Sequence, residues 1–255
     1  MGIETIVFLV IAAGFAGFID AIAGGGGLIQ LPALLLGISE KSIPTILGTN
    51  KVISIFGTTS AAANYFKRVR PNLRLTLYMS IPAFFGSVIG ARLASSVPTE
   101  IFEPLIISLL VVVAIYTWRR PELGLSEKLR FTQRKRHQIV VVLGLVIGFY
   151  DGIFGPGTGS FLVFLLVGLV GYAFLKASAT AKIVNVATNL GAIITFQLTG
   201  NIWWQLGLAL ALANVCGAII GSRVAISGGS PLVRKVFLFV VTILIAKVGY
   251  DWLAN

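Results

Sequence analysis

Four ionisable residues stand inside otherwise apolar sequence: Asp20, Lys51, Asp151 and Lys182. Charge in a water-poor interior is costly, so such residues pair with one another or line a pathway for ions and polar solutes. An ammonium group attracts an anion, and a carboxylate can carry a proton or act as a counter-charge. Each Asp is followed by a glycine cluster, AGGGG at 23–27 and GPGTG at 155–159. Gly24, Gly25, Gly26 and Gly27 in the first cluster, and Gly155, Gly157 and Gly159 in the second, let the backbone turn and approach a ligand closely. A helix that starts just after such a turn presents free N–H groups to an anion. Thr158 and Ser160 add hydroxyl donors, and Pro156 sets a turn. Around Lys51 lie Thr49, Asn50, Ser54 and Thr58; around Lys182 lie Thr180, Asn185, Thr188 and Asn189. Positions 182, 185 and 189 share one face of a helix. That face offers an ammonium and two amides, suited to the oxygens of an oxyanion and too poor in carboxylates for a divalent cation. The candidate binding set is therefore the two glycine clusters with Asn50, Lys51, Thr158, Lys182, Asn185 and Asn189. Asp20 and Asp151 are the candidate proton or counter-charge sites.

Plainer readings stand beside these. The four charges could neutralise one another, Asp20 with Lys51 and Asp151 with Lys182, or crosswise. Membrane helices also use glycine simply to pack closely, which is the majority reading for Gly86/Gly90 and Gly217/Gly221. Arg92 and Arg223, toward helix ends, are expected to snorkel or anchor. Cys216, the only cysteine, is expected to be a buried, inert thiol. His137 belongs to a basic run and is expected to be solvated, and Trp118, Trp203, Trp204 and Trp252 fall near span ends, where aromatic belts form. No Ser/His/Asp, Cys/His or metal-ligand grouping emerges, and the nucleotide-binding pattern GxxxxGK[ST] is absent. Neither cofactor nor metal nor enzymatic activity is expected.

The elements that must position these groups follow from composition. Of 255 residues, 56% are hydrophobic and 11% charged, against about 25% charged in a soluble domain. Apolar runs near 5–37, 43–66, 74–96, 101–118, 138–170, 177–199, 203–226 and 232–253 predict an all-α, polytopic membrane protein of about eight hydrophobic segments. The run 5–37 would make a helix of about 50 Å, too long for one crossing. Its glycine cluster, like that in 138–170, predicts a broken or re-entrant helix.

One polar stretch, 119–137, carries seven Lys and Arg and divides the chain into a first transmembrane repeat, 1–118, and a second, 138–255. Shifted by 131 positions, Gly17, Asp20, Gly24, Gly26 and Lys51 fall on Gly148, Asp151, Gly155, Gly157 and Lys182, and Gly86, Gly90 and Arg92 fall on Gly217, Gly221 and Arg223. Asp, Lys and Arg are scarce enough here for their common offset to indicate an internal duplication. The loop Lys67–Arg74 holds four basic residues, and both it and the central stretch are expected on the cytoplasmic side. The equivalent of the first loop, near Gly200 and Asn201, has none, whereas Arg223, Arg234 and Lys235 flank the loop near Gly228. This reversal predicts two inverted repeats, each of three spans and a hairpin, with both termini outside. The net charge of +11 is thereby assigned to orienting loops, and nucleic acid is excluded as a partner.

At these residues the chain resembles the TauE/SafE family, the sulfite exporter or sulfonate permease-like transporters. The stretches that carry the likeness are GFIDAIAGGGGLIQLPALL, LGTNKVISIFG, GFYDGIFGPGTGSF and ATAKIVNVATN, and it extends through nearly all of the chain. The resemblance implies two related four-segment repeats and movement of small anions, often sulfur-containing ones such as sulfite, sulfoacetate or organosulfonates. The expectation is a secondary transporter in a bacterial inner membrane, working by alternating access between the repeats and coupled to protons through Asp20 and Asp151. Its expected partners are a small anion, the lipid bilayer and protons, with a homo-oligomer left open. An anion channel and a carrier of a non-sulfur organic anion remain alternatives. The inverted topology has a direct check: a reporter fused after Asn255 should register on the outer face, and a cytoplasmic signal would overturn it.

Overall fold

The computed structural model describes residues 1–94 and 123–254 of the chain. The span expected at 101–118 lies outside the described residues, as do Trp118 and the side chain of Trp252. Eight helices account for the rest: α1 Ile3–Ala23, α2 Gly27–Gly37, α3 Ile43–Val69, α4 Leu73–Leu93, α5 Gln133–Ile153, α6 Thr158–Leu165, α7 Phe174–Leu198 and α8 Trp204–Ala254. A single wide turn, Leu166–Val170, extends α6. Helix α8 is broken at Gly229, whose backbone is not helical (φ 65°, ψ −166°), in keeping with the two apolar runs at 203–226 and 232–253. Among the described residues, five helices are long and apolar enough to cross a membrane: α1, α4, α5, α7 and α8. Helix α3 is as long, but it carries the polar row from Thr49 to Thr58 and the basic end Lys67–Arg68.

Both glycine clusters interrupt helices. Gly24 closes α1 in the left-handed conformation (φ 78°), and α2 then folds back along α1, so that Gly37 lies against Leu9 and Gly26 against the Ala16 carbonyl. Eleven residues of α2 reach only about 16 Å, roughly half a bilayer core. The first anomalous segment is therefore a helical hairpin, a long helix followed by a half-length one that returns along it. In the second, Gly155 and Gly157 take positive φ between α5 and α6. The chain leaving α6 comes back to the stretch before α5, where the Lys128 and Arg130 N–H groups donate to the Gly171 and Val170 carbonyls.

Contacts are exchanged between the two halves. A side chain at Gly86 or Gly90 on α4 would strike the Leu145 or Phe149 carbonyl of α5. Their counterparts 131 positions on, Gly217 and Gly221 of α8, lie in the same way against the Gly14 and Phe18 carbonyls of α1. Gly17 against Asn214 is likewise matched by Gly148 against Ala83. Each half thus packs its first helix on the glycine-bearing helix of the other, α1 on the part of α8 before its break and α5 on α4, and the glycines let the backbones approach. The equivalent helices α3 and α7 pass one another in opposite directions. Gly48 sits beside Phe196, while toward the other ends of both helices Tyr65 and Ser178 donate to the neighbouring carbonyls of Ala21 and Ile22.

Several minor expectations change. Cys216 is exposed, and it follows Leu212 and precedes Ile220 on an outward apolar face. Its apolar sequence context therefore reflects a surface turned to hydrocarbon and not a protein interior. His137 is partly covered, stacked on Tyr78 at 4.4 Å between ring centroids, so it is not freely solvated. Arg92 and Arg223 are exposed near helix ends as expected.

The glycine contacts give a direct test. Gly90→Leu should lower stability by about 1–3 kcal/mol or more, because the side chain meets backbone and not a movable rotamer. Gly2→Ala, whose new methyl group would touch nothing, should leave it unchanged. Thermal unfolding in detergent distinguishes the two outcomes.

Candidate functional site

The two hairpin tips meet. Gly24 lies directly against Gly159, and the Ser160 hydroxyl bridges the Ala23 and Gly24 carbonyls at 3.1 and 2.8 Å. Ser160 therefore ties one tip to the other and is not the ligand donor that its sequence position had indicated. Thr158 also spends its hydroxyl proton on backbone, donating to the Gly155 carbonyl at 2.7 Å.

Long helices α3 and α7 pass on either side of these tips and bring the charged residues together crosswise. Lys51 of the first half pairs with Asp151 of the second at 2.8 Å, and Lys182 of the second pairs with Asp20 of the first at 2.7 Å. The second carboxylate oxygen of Asp20 accepts the Gly26 N–H at 3.3 Å, which ties that ion pair to the start of α2. Lys182 is wholly buried while Asp20 keeps 22% exposure; Lys51 and Asp151 are both nearly buried, at 3% and 6%. Gly155 borders the Lys51 pair so closely that a β-carbon there would meet Lys51 Nζ at 2.5 Å, and its φ of 92° disfavours any side chain in addition.

A small cavity of about 30 Å³ lies between the pairs and the tips. It has room for a water molecule or two. Of the residues singled out from sequence, Asp20, Gly24, Gly27, Asn50, Lys51, Asp151, Gly155, Gly157, Thr158, Gly159, Asn185 and Asn189 line it, joined by Ser54 and Thr58. Gly25, Gly26 and Lys182 do not. Gly25 faces Val240, Gly26 packs on α1, and Lys182 stands behind the wall, reaching the site through Asp20. The amide oxygen of Asn185 is buried without a hydrogen-bond partner. An unsatisfied buried amide is costly, and rotation about its last bond exchanges its acceptor and donor faces. Asn185 is thus a cavity-lining amide whose oxygen has no hydrogen-bond partner of its own among the described residues.

Sequence reasoning missed Gln30 and Asn214. The Gln30 amide donates to Asn50 Oδ1 at 2.7 Å and accepts from Asn214 Nδ2 at 2.9 Å, and Asn214 also donates to the Ala13 carbonyl. This chain links α1, α2, α3 and α8 and holds Asn50 in place. Their repeat counterparts are Phe161 and Ala83, so no duplicated signal marked them. Polarity within an apolar run was the one available sign. Among the described residues no group of His, Cys, Asp and Glu could hold a metal ion.

The buried pairs carry a stability prediction. Lys182→Met alone leaves Asp20 unpaired and should destabilise by about 3–5 kcal/mol, whereas Lys182→Met with Asp20→Leu should recover most of that loss. Thermal unfolding of the single and double variants measures both; equal losses would disprove the coupling.

Likeness to known proteins extends over nearly the whole chain. The family model for the sulfite exporter TauE/SafE matches residues 9–248. The chain is 40% identical to "Probable membrane transporter protein ORF9" of Sinorhizobium sp., over 96% of this chain and 92% of the relative. It is 34% identical to a "Probable membrane transporter protein" of Haemophilus influenzae, over 98% and 97% of the two chains, and 34% identical to "Probable membrane transporter protein YfcA" of Escherichia coli K12, over 95% and 89%. No solved structure matches the chain.

Proposed function

The chain belongs to the sulfite exporter TauE/SafE family of multi-pass membrane transporters, and on that premise we propose that it is a proton-coupled secondary carrier of a small oxyanion. The cargo we infer is a sulfur-containing anion such as sulfite, sulfoacetate or another organosulfonate, moved across a bacterial inner membrane by alternating access. The reading of the two halves as inverted repeats is supported by the opposed passage of α3 and α7 and by the exchanged glycine contacts.

The observation that carries the proposal is the crossed pair of buried ion pairs at the meeting of the hairpin tips. Two ammonium groups and two carboxylates sum to zero charge. An anion entering such a site adds an uncompensated charge in a medium of low dielectric, where that is costly. A proton taken by either Asp151 or Asp20 removes this cost, and at Asp151 it also releases Lys51, which lines the cavity, to hold the anion. Anion and proton then move as a neutral couple. Asn50, Asn185 and Asn189 would orient the oxygens, and the glycine backbone would supply N–H groups at close range.

The volume of about 30 Å³ is too small for a multi-atom oxyanion. Seating one would require the walls of the cavity to move apart. Parting the tips would separate the Gly24–Gly159 backbone contact and break the two hydrogen bonds by which Ser160 joins them.

In proteoliposomes, anion flux should fall when an ionophore collapses the pH gradient, and flux unaffected by collapse would overturn proton coupling. Asp151→Asn should transport weakly and lose its dependence on the gradient. Lys51→Gln should weaken anion binding about tenfold or more, as expected for loss of a charge-assisted hydrogen bond of about 1.5–3 kcal/mol. Normal anion affinity in Lys51→Gln would remove the central role given to that ammonium.

A further inference from the structure

A chemical grouping found at one end of the molecule and missing at the repeat-equivalent end is not accounted for by the duplication that built the central site. A second polar cavity, of about 460 Å³, opens between the C-terminal end of α3 and the part of α8 before its break. It is lined by Asn64, Lys67, Arg68, Arg223, Ile226 and Ser227. The repeat positions of Lys67 and Arg68 are Leu198 and Thr199, and only Arg223 has a charged counterpart, Arg92. The opposite end of the molecule therefore lacks this grouping.

Three cations share the cavity with no carboxylate beside them among the described residues. Among the described residues the ion pairs are Lys51–Asp151, Lys176–Glu127 and Lys182–Asp20, and none involves Lys67, Arg68 or Arg223. No carboxylate lines the cavity. The walls are held in place, since Asn64 Nδ2 donates to Ser222 Oγ at 2.9 Å and joins α3 to α8 there. Three like charges around one space repel one another, and an anion placed among them relieves that repulsion. Arginine and lysine together favour a phosphate group, which arginine can grip with two parallel hydrogen bonds.

Apolar side chains exposed on the same helices, next to these cations in sequence, point to the rest of the ligand. Phe66 beside Lys67, and Ile220 and Val224 beside Arg223, are large exposed apolar side chains at 44%, 55% and 36%. A ligand with a phosphate head in the cavity and hydrocarbon along these residues satisfies both surfaces at once. Free phosphate would satisfy only the first. We propose that this cavity binds the headgroup phosphate of an anionic phospholipid, with Lys67, Arg68 and Arg223 as its cationic partners. Basic pockets between membrane helices are suited to such headgroups. The site is separate from the substrate site and does not depend on the identity of the cargo.

The test uses the full chain, delipidated and returned to nanodiscs of phosphatidylcholine with or without phosphatidylglycerol. Retained lipid is read by native mass spectrometry and stability by thermal unfolding. The unaltered protein should retain phosphatidylglycerol and melt higher in its presence. The triple variant Lys67→Gln, Arg68→Gln, Arg223→Gln should lose both effects. A control that removes the same charge elsewhere, Lys128→Gln, Arg134→Gln, Lys135→Gln, should keep them. Equal loss in both variants would assign the effect to diffuse surface charge and overturn the site. Inorganic phosphate that gives the same stabilisation in phosphatidylcholine discs would overturn the lipid assignment. If the triple variant does not fold, Arg223→Gln alone is compared: lower lipid retention supports the site and unchanged retention refutes it.

Discussion

Two ion pairs, each made from one residue of either half, are the constraint around which the rest is arranged. An unpaired carboxylate or ammonium in this interior would cost several kcal/mol, so neither half can settle with its own charges unmatched. Lys51 needs Asp151 and Lys182 needs Asp20. Association of the halves is thereby built into the electrostatics before any apolar packing is considered. The partners also sit at structurally similar places, the lysines on long helices and the aspartates just before a glycine break. Forming the pairs therefore fixes where both hairpin tips must lie.

The glycine contacts then become a geometric requirement. To bring Asp20 within 2.7 Å of Lys182, α1 must approach the helices of the second half closely, and it does so where Gly14 and Phe18 meet Gly217 and Gly221. Helix α5 meets α4 through the equivalent set. Close approach, exchanged polar pairs and tip-to-tip hairpins are one arrangement seen at three scales. A bulky residue at any of these crossings would move an aspartate away from its lysine.

Much of this was legible because duplication wrote it twice. The common offset of Asp, Lys, Arg and Gly pointed to the site residues, and the length of the run 5–37 against a bilayer pointed to a break at the glycines. The pairing could be narrowed only to two options, since one chain does not state which carboxylate faces which ammonium. What escaped lacked a copy in the other half. Gln30 and Asn214 answer to Phe161 and Ala83, so the polar chain behind Asn50 had no repeated signal. Cys216 was misplaced for a related reason: apolar neighbours in sequence look alike whether they face protein or lipid. The placement of Lys182 behind the cavity wall depends on the side chain's path past Asp20, which periodicity does not encode.

The departures from symmetry have a physical consequence of their own. With perfect symmetry the two ion pairs would be equally buried. Here Asp20 keeps 22% exposure against 6% for Asp151. The first hairpin is anchored by the amides of Gln30 and Asn214, whereas the corresponding position of the second is the ring of Phe161, packed edge-on against Tyr150 at 5.6 Å. The second tip has hydrogen bonds of its own, from the Tyr150 hydroxyl to the Pro156 carbonyl and from Ser160 to the first tip. The asymmetry that bears on the cavity lies in the charges: both carboxylates line it, but of the two ammonium groups only that of Lys51 does.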